Sequence, residues 1–229
     1  MNVLQLLSEF FLILTYPLAN IIKFFFPLRE KKQPIRNNEN STSTILIFEQ
    51  WFAQNLWHIY IKWYLERKGF TVYWTNFSLL KGSHHDAAKY LSKYIEKHRL
   101  HNITLVGVSM GAVSSLLYLQ EYDGWVKVRK FISIGGPLKG TPLAFLIYFL
   151  TPGRQVLPNS TFIKNLVGNI KHPERIVCIS AKFDEFVPHW SNTVPHAYNR
   201  VVDIVGHNNL HVISKSVFSS IAKEAVKEV

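Results

Sequence analysis

The chain has 229 residues, 48% of them hydrophobic and 18% charged, which is enough apolar material for one sizeable core and excludes wholesale disorder. Its formal net charge of +11 is spread along the chain with no Lys/Arg block and no nucleic-acid motif, so it favours an anionic lipid surface over nucleic acid. The single cysteine, Cys178, excludes an intrachain disulfide and reads as a small buried hydrophobe within Ile176-Val177-Cys178-Ile179.

The first predicted element, residues 1–28, is the most apolar part of the chain. Glu9 and Lys23 interrupt it and leave 13 uncharged residues from Phe10 to Ile22, with Pro17 among them. That is short of the roughly 20 residues a membrane-crossing helix needs, unless both charges reach out to the two interfaces. No Lys or Arg precedes the stretch and no small-residue cleavage site comes after it, so a signal peptide fits poorly. The segment reads as a membrane attachment, either a tilted span or an interfacial helix; the alternative is an N-terminal helix packed on the domain. Arg29, Lys31, Lys32 and Arg36 would hold the downstream domain on the cytoplasmic side. Residues 29–43 read as a basic, polar linker.

From 44 to 229 apolar runs alternate with amphipathic helices. Strands are expected at Ile45–Phe48, Thr71–Trp74, Ile103–Val106, Lys130–Ile134, Arg175–Ile179 and Val201–Val205. Helices are expected at Asn55–Lys68 (ended by Gly69), about His85–Arg99, Ala112–Gln120, and over a last stretch bearing Ile213, Val217, Ile221 and Ala225. Strands apolar throughout, with helices between them, mean a mostly parallel sheet of about six strands covered on both faces. Residues 142–165 open with a nearly unbroken apolar run, Leu143 to Leu150. They read either as a lid over an apolar site or as a buried helix.

Chemistry concentrates at Gly107-Val108-Ser109-Met110-Gly111, which lies between a strand and a helix. Gly-x-Ser-x-Gly in that setting is a nucleophile elbow, a turn tight enough to need glycine on both sides and to lift the serine hydroxyl clear. A serine hydroxyl is a poor nucleophile without an imidazole to take its proton, and the imidazole needs a carboxylate to fix its tautomer. In a parallel sheet these partners belong on loops at the C-terminal strand ends. Asp184 comes after the strand ending at Ile179, and His207 after the one ending at Val205. His211 is the rival histidine and Glu185 the rival acid. His84, His85, His98 and His101 read as lying in or beside the exposed helix before the elbow strand.

With these residues in place the chain resembles the α/β-hydrolase family, and within it the bacterial-type lipases and esterases, over roughly Thr44 to Val226. The stretch Gly136-Pro137-Leu138-Lys139-Gly140-Thr141-Pro142 is similar to one these lipases carry beyond the strand after the elbow. Leu157-Pro158-Asn159-Ser160 and Asp184-Glu185-Phe186-Val187-Pro188 fit as well. The resemblance implies a shortened α/β-hydrolase fold and a serine hydrolase cleaving a lipid or other apolar carboxylic ester, without metal or cofactor. It implies Ser109, His207 and Asp184 as the triad, and an oxyanion hole from the backbone N–H groups of Met110 and Trp51. The same machinery would serve an acyltransferase. The family's His-Gly pair after the first core strand is replaced by Glu49-Gln50, so a catalytically weak, lipid- or partner-binding relative is a third reading.

Overall fold

The computed structural model describes residues 3–25, 44–51 and 59–227, with side chains as far as Thr15 in the first of these stretches. Six strands form one sheet: β1 (Thr44–Trp51), β2 (Thr71–Ser78), β3 (Ile103–Val108), β4 (Val128–Ile134), β5 (Ile176–Phe183) and β6 (Tyr198–Val205). Their order is β2-β1-β3-β4-β5-β6, and every pairing is parallel.

Side-chain alternation along the strands builds two cores. Leu46, Phe48, Leu105 and Phe131 face helices α3 (His84–Lys97), α4 (Met110–Glu121) and α6 (Thr161–Gly168). Ile45, Ile47, Val106 and Ile132 face α2 (Ile59–Arg67) and α7 (Lys215–Val226). The central strand β3 is buried along its whole length, as a run apolar throughout requires. By contrast β6 starts three residues earlier than expected, because its first four residues are exposed at the sheet edge and carry no apolar signature. Helix α3 begins at a capping box in which Ser83 and Asp86 satisfy each other's backbone N–H groups.

Helix α1 (Val3–Phe25) lies against β6 and the turn after it. Among the described residues no helix is long and apolar enough to cross a membrane. Its packing inverts the usual amphipathic arrangement. Gln5, Ser8, Glu9 and Leu12, spaced as one helical face, turn toward the domain. Leu4, Leu7, Phe10, Phe11 and Leu14 are exposed. The linker expected at 29–43 falls outside the described residues.

The segment after β4 combines the two readings of 142–165. Short helical turns at Pro142–Ile147 and Thr151–Gln155 (α5) lead into α6. Ala144, Pro152 and Val156 are buried, while Phe145, Leu146, Tyr148 and Phe149 are exposed.

Candidate active site

Ser109 occupies the one-residue turn between β3 and α4 with φ 51° and ψ −126°, a conformation that costs a non-glycine residue of order 1–3 kcal/mol. The strain is held by packing on both sides. A Cβ on Gly107 would lie 2.6 Å from the Ala112 Cα. One on Gly111 would lie 2.5 Å from the Phe48 carbonyl oxygen and 2.8 Å from the Glu49 Cα. Both glycines are therefore fixed by backbone atoms that cannot step aside. The Ser109 N–H donates to the Ile134 carbonyl (2.9 Å), tying the elbow to β4. Gly111→Ala is expected to destabilise the fold by about 1–3 kcal/mol, the usual cost of overpacking, read as a lower urea midpoint.

The three residues expected to form a triad come together. The His207 Nε2 lies 2.9 Å from Ser109 Oγ, and its Nδ1 lies 2.7 Å from Asp184 Oδ2. The other Asp184 oxygen accepts the backbone N–H groups of Phe186 (2.9 Å) and Val187 (2.7 Å), which stops the carboxylate from rotating. With Asp184 accepting at Nδ1, the imidazole carries its proton there and presents a free lone pair to the serine. Phe186 and His211 meet the His207 ring edge to face at 5.5 and 5.0 Å between centroids. The rivals thus take supporting places: His211 packs on the imidazole, and Glu185 accepts the His207 backbone N–H (3.1 Å).

Burial alone would lower the His207 pKa. The Asp184 charge and hydrogen bond, with Glu185 and Glu9 behind them, outweigh it and raise the pKa above the ordinary 6.5. A general base must be neutral, so kcat/KM should rise with pH through an acid limb lying above pH 6.5. A pH–rate profile measures it.

The stretch from Gly135 to Thr141 braces this line. Gly135 has φ +55°, and a Cβ there would come within 3.1 Å of His207 Cε1. Gly136 sits where a Cβ would strike the Ala112 Cβ and Ser133 Oγ, both at 2.5 Å. Thr141 Oγ1 donates to the Phe186 carbonyl (2.5 Å), and Ser191 Oγ donates to that of Gly140 (2.6 Å). The motif thereby joins the loop carrying the acid to the loop before the lid-like turns.

The serine opens into a cavity of about 350 Å³. Its walls are mainly apolar and include Ile13 of α1, Met110, Leu143, Leu146 and Val187. Met110 is the first residue of α4, so its N–H belongs to the four at a helix start that have no intrahelical partner, at the positive end of the helix dipole. Trp51 ends β1 opposite Ser78, and residues 52–58 after it lie outside the described part of the chain.

Glu49 and Gln50 both line the cavity. The Gln50 side chain is pinned: Ser114 Oγ donates to its Oε1 (2.5 Å), and His84 Nδ1 lies 2.7 Å from the same hydroxyl. His84 is fully buried, not exposed as its surroundings in the sequence imply, and burial lowers its pKa to about 3. Its ring stacks on Phe162, and its backbone N–H donates to Gln155 Oε1 (3.0 Å). These partners lie 30 to 78 residues away along the chain, so no local pattern announces them. Glu9 is the other residue whose place the sequence did not reveal: it interrupts the apolar run, and it also accepts the N–H groups of Asn208 and Asn209 beside the site. Among the described residues no group of three or more His, Cys, Asp or Glu side chains is placed to hold a metal ion.

No protein-family model matches the chain, and no curated protein matches it in sequence. Solved structures do. The mature form of the Bacillus licheniformis lipase BlEst2 superposes with a TM-score of 0.64 at 15% identity, covering 83% of this chain and 96% of that one. The ydeN gene product of B. subtilis gives 0.59 at 20% identity, over 81% of this chain and 100% of that one. The esterase EaEST from Exiguobacterium antarcticum gives 0.57 at 15% identity, over 81% and 92%. The chain has the α/β-hydrolase fold that these structures share.

Proposed function

We propose that this chain is a serine hydrolase that cleaves a lipid or another apolar carboxylic ester. The observation that carries the proposal is the hydrogen-bonded line Ser109–His207–Asp184, which opens into an apolar cavity. Ser109 Oγ attacks the ester carbonyl while His207 Nε2 takes the hydroxyl proton. The oxyanion is received by the N–H groups of Met110 and Trp51, each such donor being worth roughly 3–4 kcal/mol in a hydrolase. Collapse of the tetrahedral adduct expels the alkoxide, which leaves as an alcohol with the proton from His207. Water then attacks the acyl-enzyme, again giving its proton to His207, and the carboxylic acid departs as Ser109 recovers its hydrogen. Asp184 stabilises the imidazolium formed in both halves.

The walls and the mouth indicate the substrate class. Ile13 from α1 and Leu146 from the lid-like turns both line the cavity, and each adjoins exposed apolar residues: Phe10, Phe11 and Leu14 on one side, Phe145 and Phe149 on the other. Two apolar surfaces thus flank one opening on a chain of net charge +11. That arrangement suits an anionic lipid surface, with α1 lying along the interface instead of crossing it.

The test is turnover of a series of p-nitrophenyl esters of increasing acyl length by wild type and Ser109→Ala. Hydrolysis that depends on Ser109 and favours longer acyl chains is expected; no Ser109-dependent release with any ester would overturn the proposal. Adding alcohol acceptors separates hydrolysis from acyl transfer, since a transferase would form the new ester in preference to the acid. Co-sedimentation with vesicles containing anionic phospholipid tests the surface. Binding weakened by serine at Phe10, Phe11, Phe145 and Phe149 is expected, and a protein that stays in the supernatant would refute the lipid surface.

A further inference from the structure

We infer that Glu9 on α1 is a positioning residue for the catalytic histidine: its carboxylate caps the turn that carries His207, so that the N-terminal helix completes the site. The inference rests on the triad reading above and concerns a residue nearly 200 positions away in the chain.

The geometry is specific. Glu9 is 5% exposed, and its Oε1 accepts the Asn208 backbone N–H (2.9 Å) and side-chain Nδ2 (2.7 Å). Its Oε2 accepts the Asn209 backbone N–H (2.7 Å). These N–H groups start the helical segment that runs from His207 through a single π turn at Asn209–Ile213. A helix start leaves its first N–H groups without intrahelical partners, and a carboxylate placed there answers both the orphan donors and the dipole. A π turn is uncommon and concentrates at functional sites, where the local backbone needs outside support.

Neighbouring contacts make this a clamp. The Asn209 Nδ2 donates to the Gln5 carbonyl (2.6 Å), Ser8 Oγ donates to Asn209 Oδ1 (2.8 Å), and the Val205 N–H donates to Gln5 Oε1 (3.1 Å). Gly206, with φ +106°, lies under the Glu9 carboxylate, where a Cβ would meet Oε2 at 2.2 Å. The polar stripe of α1 is thus spent on the two sides of the catalytic histidine, which explains why an apolar helix turns its polar face inward.

Glu185 completes the arrangement from the loop after β5. It accepts the His207 backbone N–H and lies beside the Glu9 carboxylate. Burial first, and then the Glu9 hydrogen bond, hold the Glu185 carboxyl up at about 7 from its ordinary 4.5. The titratable groups facing this pair are His207 and Asp184, with His211 beyond the imidazole. Loss of the Glu185 proton above about pH 7 adds a negative charge beside the His207 backbone N–H. A carboxyl whose folded pKa is raised contributes stability that is full below its unfolded value and is lost as pH rises through the folded one. For Glu185 the window runs from 4.5 to about 7.

The experiment compares full-length wild type with Glu9→Ala and Glu9→Gln. It reads ester kinetics together with the low-field His207 Nδ1–H resonance and ring titration in histidine-labelled protein. Glu9→Ala should lower kcat by about 10–100-fold with KM little changed, the scale on which misplacing a catalytic group by about an ångström acts. Its Nδ1–H resonance should broaden. Glu9→Gln keeps one acceptor oxygen, so one of the two backbone N–H groups retains its partner while the other meets an amide NH2. It should fall between Glu9→Ala and wild type in kcat and in the resonance, and ease without removing the fall of Tm between pH 4.5 and about 7, because burial still acts on Glu185. If the wild type hydrolyses esters and Glu9→Ala leaves kcat and the resonance unchanged, the inference is wrong. A wild type inactive on every ester, with a His207 resonance that still responds to Glu9, would defeat the hydrolase reading and leave the positioning role standing.

Discussion

Alanine at either Ser109 or His207 should lower kcat for an ester substrate by roughly 10⁶-fold, and the double variant should be scarcely worse than either single one. The non-additivity is the informative part. In the proposed mechanism the Oγ is activated only through the proton it passes to Nε2, which lies 2.9 Å away, so each group would be inert without the other. Independent roles would instead multiply the two losses. What survives in the variants should be the contribution of the oxyanion donors and the cavity, roughly 10³–10⁴-fold over water in a well-characterised triad enzyme. Steady-state kinetics on a p-nitrophenyl ester, with folding checked by the urea midpoint, reads both quantities.

Asp184→Asn should lower kcat by about 10⁴-fold while leaving the fold nearly intact. The asparagine is isosteric and keeps an oxygen for the N–H groups of Phe186 and Val187. Its amide nitrogen then faces His207 Nδ1 and demands an acceptor there, which moves the imidazole proton to Nε2 and turns a donor toward Ser109. The acid limb of the pH profile should fall at the same time, because the charge that does most to raise the His207 pKa against burial is gone. Unchanged kcat in this variant would mean that Glu185 supplies the acid. The geometry opposes that outcome, because Glu185 is engaged with the His207 backbone and with Glu9.

The range of an interaction along the chain decided whether the sequence revealed it. The parallel sheet was legible because strands covered on both faces are written as short runs apolar throughout, as in Ile103 to Val106. Ser109 was legible because the elbow constrains its neighbours locally, and Asp184 and His207 because strand ends in chain order restrict where partners can stand. Glu9 was not. Within its own helix it interrupts an apolar run, and the donors that explain it lie 199 and 200 residues away. His84 was hidden for the same reason, since its burial depends on Ser114, Gln155 and Phe162. At 142–165 both readings contained part of the answer, because the segment buries one set of apolar residues and exposes another.

Glu49-Gln50 shows how a departure from a familiar pattern can be structural. The Gln50 side chain, standing where the resemblance implies glycine, accepts from Ser114 of α4, whose hydroxyl is in turn held by a neutral His84. The end of β1 is thereby fixed from inside the domain instead of by a free glycine turn. Gly111 accommodates it by offering no Cβ to the backbone of Phe48, Glu49 and Gln50.

Every expectation about catalysis depends on Ser109 being a nucleophile activated in place by His207. Covalent labelling with a fluorophosphonate, read by peptide mass spectrometry, probes that activation without requiring the natural substrate. One adduct per chain is expected, located on Ser109, absent from Ser109→Ala and strongly slowed in His207→Ala. No labelling of the folded wild type, or an adduct on another residue, would contradict the activation of Ser109.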